Sequence, residues 1–344
     1  MIAVDVMGGE NPPEAYIRGA VNAIREFNVR VALVGDEEII DTTLKKLKFD
    51  DSRKLKVYHA DEVIRMHEIP SVACKKKKSA SIQVCARLVK EGVVEGLWSG
   101  GNTGATLISG IMNLGKIPGI HRPALSTYLP TLKGHCMLID AGGNMDCTAE
   151  YLAQFAIMGE VFASRVQGKK NPSIGLLSIG SEKSKGNELV LKTHEILKNL
   201  DCNFVGNIEG YDISDGDVDV VVCDGFTGNI TLKVTERAFK LMIELVQQEI
   251  EKHLLQRVGF ALVYPAVKKQ VYKKTDPRAY GGAPVLGLNG SIVVGHGSSD
   301  AFATSNGINM ANNLVKNKVN DLIVKRLQQF GLLKKPSPSN NTQQ

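Results

Sequence analysis

The feature that most constrains this chain is a repeated unit. A short apolar, β-branched run leads into a polar, glycine-bearing turn, and the turn leads into a helical pattern. Ile2–Val6 is followed by Met7-Gly8-Gly9-Glu10-Asn11-Pro12-Pro13 and a helix over Glu14–Phe27. Arg30–Val34, Gly92–Trp98, Cys136–Asp140, Ile174–Ile179, Val218–Cys223 and Ile292–Val294 each begin another such unit. Strands alternating with helices predict βαβ units and a doubly wound, mainly parallel α/β sheet. Parallel strands are covered on both faces and read as unbroken apolar runs, as Val218-Asp219-Val220-Val221-Val222-Cys223 nearly does.

The 344 residues, 43% of them hydrophobic, suffice for a large core. Residues 1–333 read as one catalytic domain, and Lys334–Gln344, rich in Pro, Ser, Asn and Gln, as a disordered tail. The Met1-Ile2-Ala3-Val4 start reads as a strand rather than a basic signal segment. None of the six cysteines forms a CxxC pair or a metal-ligand spacing, so a reduced cytoplasmic protein with no metal and no cofactor is expected. A net charge of +6 is too mild to argue for nucleic acid, and aromatic interleaving is missing.

In an open α/β sheet, ligands gather beyond the carboxyl ends of strands. Here those ends share one chemistry: Ser99-Gly100-Gly101-Asn102-Thr103-Gly104, Asp224-Gly225-Phe226-Thr227-Gly228-Asn229, Lys183-Ser184-Lys185-Gly186-Asn187 and His296-Gly297-Ser298-Ser299. Helix N-termini offer unpaired N–H groups to an anion, glycine allows close approach, and Lys or His neutralises charge. Loops placed along one sheet edge point to phosphate. GxxxxGK[ST] and a GxGxxG after the first strand are both missing, which excludes the nucleotide-binding versions of this device. GxSxG is missing too, so no nucleophile elbow is indicated. Each residue retains an ordinary reading: His296 as a turn histidine, Lys185 as a solvated cation, Asp140, Asp146 and Asp224 as helix caps.

The same loops, in the same order, resemble the phosphate acyltransferase family of bacterial phospholipid synthesis. The resemblance runs from Ala3-Val4-Asp5-Val6-Met7-Gly8-Gly9 to about Phe330. It includes His121-Arg122-Pro123-Ala124, Gly143-Asn144-Met145-Asp146-Cys147, Gln154–Gly159 and Tyr280-Gly281-Gly282-Ala283-Pro284. It implies a fold similar to phosphotransacetylases and isocitrate/isopropylmalate dehydrogenases, in a homodimer. It also implies transfer of a long-chain acyl group from acyl carrier protein to inorganic phosphate, the acyl phosphate passing to a glycerol-3-phosphate acyltransferase.

On that reaction, the expected catalytic residues are Lys185, His296 and Asp224. Asn102, Thr103, Gly104, Asn144, Asn187, Thr227, Gly228, Asn229 and Ser298 are the expected phosphate ligands. A short-chain phosphotransacetylase using coenzyme A, or a non-enzymatic lipid-surface scaffold, is the alternative. The segment 236–278 reads as a protruding helical hairpin, apolar and flanked by cations but too interrupted to span a bilayer. It is either a buried or dimer-forming hairpin or a tip dipping into an anionic membrane through Leu254, Leu255, Val258, Phe260, Leu262 and Val263. The family's peripheral habit favours the tip, at the inner face of the cell membrane. Lys75–Lys78 could greet the acidic carrier protein, although a solvated face is the simpler reading.

Overall fold

The computed structural model describes residues 1–11, 13–252, 256–265 and 276–333. Leu254, Leu255 and the expected tail therefore lie outside the described residues. The chain begins β1 (Ile2–Asp5), α1 (Pro13–Phe27), β2 (Val31–Gly35), α2 (Glu37–Lys46) and β3 (Leu55–His59). It continues through α3 (Pro70–Lys76), α4 (Ser81–Lys90), β4 (Gly96–Ser99), α5 (Thr103–Leu114) and a hairpin of β5 (Ala124–Thr131) and β6 (Gly134–Ile139). Then come α6 (Ala149–Arg165), β7 (Ile174–Leu177), α7 (Glu188–Leu197), β8 (Phe204–Ile208), α8 (Gly210–Asp215) and β9 (Val220–Val222). The long α9 (Gly225–Glu251), α10 (residues 256–265), β10 (Ala283–Leu286), β11 (Ser291–Val294), α11 (Ala301–Lys316) and α12 (Val319–Gln329) complete it.

The eleven strands among the described residues join one sheet, ordered β3-β2-β1-β4-β11-β10-β5-β6-β9-β7-β8. β1, β2, β4, β9 and β11 are buried along their whole length, as strands covered by helices on both faces must be. On α1, Tyr16, Ile17, Ala20 and Ile24 form the apolar stripe, and the helix lies against α11. α6 is buried almost all round through Leu152, Phe155, Ile157 and Phe162. α12 crosses it and pairs Arg326 Nη2 with Glu160 Oε1 at 2.7 Å. One core cluster runs from Ile2 to Leu333, so both halves of the sheet share it.

The expected mainly parallel sheet is present, with a correction to where its strand ends point. β3, β2, β1, β4 and β11 run parallel to one another. β10 is antiparallel to β11 and to β5, and β5 is antiparallel to β6. β9, β7 and β8 follow β6 in parallel. Three reversals leave the second half running opposite to the first. The anion loops thus form two sets at opposite strand ends instead of one row along a single edge.

Two helices occupy the segment expected to form the protruding hairpin, and the residues between them lie outside the described ones. In α9 only Gly225 and Gly228 are buried, and the helix runs on with Val234, Phe239, Met242 and Leu245 exposed. In α10, Val258, Leu262 and Val263 are exposed. No described helix is long and apolar enough to cross a membrane, and all six cysteines are free.

Candidate active site

The first loop set sits where β1, β4 and β11 end. Asp5, buried at the last position of β1, gathers it. Its Oδ1 accepts the N–H groups of Met7 at 3.2 Å and Gly8 at 3.1 Å, and its Oδ2 accepts the Ser99 hydroxyl at 2.8 Å. Ser99 Oγ in turn accepts Gly101 N–H at 3.1 Å. Burial pushes the Asp5 carboxyl above the usual carboxylate range, against the pull of these donors. Asn102 caps α5, accepting Ala105 N–H at 3.1 Å, while its Nδ2 donates to the carbonyls of Met66 at 3.0 Å and Glu68 at 3.2 Å. Both ends of that amide are committed to the fold. The N–H groups of Thr103 and Gly104 have no acceptor among the described residues and remain available to an anion.

His296 and Ser298 border this set from the end of β11. Ser298 N–H donates to His296 Nδ1 at 3.2 Å, and Ser298 Oγ lies 2.7 Å from the same nitrogen. An Nδ1 that accepts from the backbone leaves the proton of the neutral ring on Nε2, as a hydrogen-bond donor.

The second set sits where β6, β9 and β7 end, and Asp140 gathers it as Asp5 gathers the first. Asp140 Oδ1 accepts the N–H groups of Gly143 at 2.9 Å, Leu125 at 3.0 Å and Gly142 at 3.2 Å. Its Oδ2 accepts both Asn144 N–H and Asn144 Nδ2 at 2.7 Å. The loop so fixed holds the start of α9, because Asn144 O accepts Gly225 N–H at 2.7 Å. The approach is close enough to require glycine, since a Cβ on Gly228 would lie 1.9 Å from Asp140 O. Asp224 caps α9 through Thr227 N–H at 2.9 Å and Thr227 Oγ1 at 2.8 Å. Asn187 caps α7 through Val190 N–H at 3.0 Å.

Between the starts of α7 and α9 lies a cleft of about 390 Å³ whose polar lining is Ser178, Asn187, Asp224 and Thr227. Ser178 Oγ is buried there without a hydrogen-bond partner. Lys185 stands exposed in the loop leading to Asn187. Two thiols are near: burial, aided by Asp140, pushes Cys147 up to about 12, and burial beside Asp224 and Asp140 pushes Cys223 well above the thiol range. Both are held as poor nucleophiles at neutral pH. A larger hollow of about 490 Å³ beside α7 and β8 holds none of the expected residues.

The structure therefore divides the expected site. Asn102, Thr103, Gly104, His296 and Ser298 belong to the first set; Asn144, Lys185, Asn187, Asp224, Thr227, Gly228 and Asn229 belong to the second. Among the described residues no hydrogen bond joins the two. Asn102, Asn144 and Asn187 carry structural bonds that their sequence neighbours did not disclose as already taken, and Asp224 is the helix cap that its ordinary reading gave. Asp5 and Ser178 were missed. The signal for the gathering carboxylates was present: an Asp closing an apolar run, with a Gly-Gly pair within four residues, occurs at Asp5 and again at Asp140.

The sequence model of the family described as fatty acid synthesis protein matches residues 1–322. The phosphate acyltransferase of Geobacter sulfurreducens is 44% identical over 327 residues, covering 95% of this chain and 94% of that one. That of Leptospira biflexa is 43% identical over 334 residues, covering 96% and 97%. Among solved structures, a phosphotransacetylase from Streptococcus pyogenes has a TM-score of 0.61 at 20% identity, covering 91% of this chain and 94% of its own. A 4-hydroxythreonine-4-phosphate dehydrogenase from Klebsiella pneumoniae has a TM-score of 0.52 at 14% identity, covering 92% and 99%. At those identities the structures share the fold alone, and they bear out the expected likeness to phosphotransacetylase and dehydrogenase folds.

Asp140→Ala strips the acceptor from several enclosed N–H donors at roughly 1–3 kcal/mol each. The expected loss of stability is at least about 3 kcal/mol by urea denaturation. A variant with the parent's midpoint would show that Asp140 does not hold the second loop set.

Proposed function

The chain belongs to the phosphate acyltransferase family, and from that premise we propose that it transfers a long-chain acyl group from acyl carrier protein to inorganic phosphate, yielding acyl phosphate for phospholipid synthesis. Residues 1–333 serve as one catalytic domain. The observation that carries this reading is the cleft between the starts of α7 and α9, lined by the unpartnered Ser178 hydroxyl, Asn187 and Thr227, with Cys223 buried in its wall. Such a site can bind and orient a phosphate, yet it offers no activated cysteine to carry the acyl group.

A thioester is already activated, so positioning and charge stabilisation are the main requirements. Phosphate occupies the cleft between α7 and α9, against Ser178 Oγ, Thr227, Asn187 Nδ2 and Asn229. Lys185 stabilises the negative charge that develops as a phosphate oxygen attacks the thioester carbonyl. Asp224 keeps Thr227 in place as its cap. Thr103, Gly104 and His296 receive the departing thiolate side, where His296 Nε2–H is the available hydrogen-bond donor, and the proton that the thiolate takes up is the one hydrogen phosphate loses on becoming acyl phosphate.

Sheet twist reconciles this division with one reaction. A turn of roughly 20–25° per strand step, accumulated over the steps from β4 to β9, amounts to roughly 100–125°. Strands reversed by the hairpins then direct their carboxyl ends roughly 55–80° from those of the first half, instead of straight away from them. Incubating acyl carrier protein thioester with phosphate and trapping with hydroxylamine tests the assignment. Phosphate-dependent hydroxamate is expected, and Lys185→Ala should lower kcat by about 10²–10³. Hydroxamate formation indifferent to phosphate would remove the assignment.

The protruding α9 and α10 support membrane association and a homodimer as further parts of this reading. Val258 and Leu262, one helical turn apart, are 55% and 80% exposed. Apolar side chains so placed suit insertion among acyl chains at the inner face of the membrane, near a glycerol-3-phosphate acyltransferase that consumes the product. Leu262→Glu should abolish co-sedimentation with anionic vesicles while leaving the oligomeric state intact. Retained binding would assign the apolar face to subunit contact alone.

A further inference from the structure

The stretch from the end of β3 to the start of α4 crosses the first loop set. Asn102 ties it down by its two bonds to the Met66 and Glu68 carbonyls. Pro70 packs on Gly104, where an added Cβ would meet Pro70 Cγ at 2.7 Å. Met66 Cε lies 3.0 Å from where a Cβ on Gly297 would stand, so the stretch also borders the His296 loop. It forms a lip over both the α5 start and His296.

Two properties of the lip are unusual for a mere cover. Its outer side exposes large apolar side chains: Ile69 is 67% exposed, Val72 44% and Met66 38%. Its charges are also unevenly paired. Each acid has a partner: Asp61 with His59, Glu62 with Ser79 N–H, Glu68 with Lys77 at 2.7 Å. Arg65, Lys75, Lys76 and Lys78 are exposed and have no ion-pair partner among the described residues. A solvated face would account for the lysines but not for the apolar side chains set among them.

We infer that residues 65–78 are the docking lip for an acidic carrier protein that presents the acyl thioester. Arg65, Lys75, Lys76 and Lys78 meet its carboxylates and steer the encounter. Met66, Ile69 and Val72 cover its apolar face. The bonds from Asn102 couple the docked carrier to the loop that receives its thioester. This inference rests on the proposed carrier-bound donor.

The test uses the full chain with Lys75, Lys76 and Lys78 each changed to Glu, and separately Ile69→Ser. Kinetics are measured with two donors, the acyl carrier protein thioester and the small acyl-N-acetylcysteamine thioester. Matching thermal melts establish that the variants fold. For charge reversal, KM for the carrier-bound donor should rise about tenfold or more and the parent's KM should rise with salt, while the small donor is unaffected. Ile69→Ser should raise the same KM without the salt dependence. Unchanged KM for the carrier, equal losses with both donors, or a loss confined to anionic vesicle binding would each overturn the lip and leave the reaction standing. A parent that forms no acyl phosphate from either donor would overturn the reaction, and the lip with it.

Discussion

The site depends on one kind of interaction, a carboxylate buried at the end of a strand that gathers backbone N–H groups around itself. Asp5 does this for the loops after β1 and β4, and Asp140 for the loops after β6 and β9. A carboxylate removed from water is costly unless its oxygens are satisfied, and the donors here come from the loops that must be shaped. The demands then spread outward. Asn144 is fixed by Asp140 and in turn fixes the first turn of α9, where a side chain at position 228 would collide with the Asp140 carbonyl. The orientation of both the α5 and α9 starts follows from these two acids.

Much of the architecture was legible in the sequence because buried strands and amphipathic helices leave periodic marks. α1 starts one residue from its expected position, and each apolar run that heads an expected unit holds a strand, whereas α9 begins at Gly225, inside the expected loop Asp224–Asn229. Strand direction was not legible, and it decides how the loops are arranged. The reversal is made by β5 and β10, which lack the apolar signature of the other strands. β5 carries Ser126, Thr127, Tyr128 and Pro130, and β10 contains Pro284 within four residues. Both read as loop or edge material. Asparagine was ambiguous for a different reason. An amide that caps a helix and one that binds phosphate use the same atoms, so only the folded structure shows that the Asn102 and Asn144 side chains are taken.

On the proposed reaction, phosphate and the acyl donor meet different surroundings. The α7–α9 cleft is partly apolar, holds an unpartnered buried hydroxyl and is lined by Gly186, next in sequence to Lys185, which suits a small anion that must lose water before it reacts. The α5 start is open, edged by His296 and by a lip with exposed apolar and cationic side chains, which suits the larger donor. α9 leaves this body after one buried turn, so the helices that reach outward begin at the residues that line the cleft.

The central claim is that bound phosphate, and no side chain of the protein, attacks the thioester. It is tested most directly by mixing enzyme and acyl carrier protein thioester without phosphate, quenching rapidly and weighing the intact protein. The account predicts unmodified enzyme at every time point, with acyl phosphate appearing in one phase once phosphate is added. A stoichiometric acyl-enzyme that phosphate then discharges would contradict it.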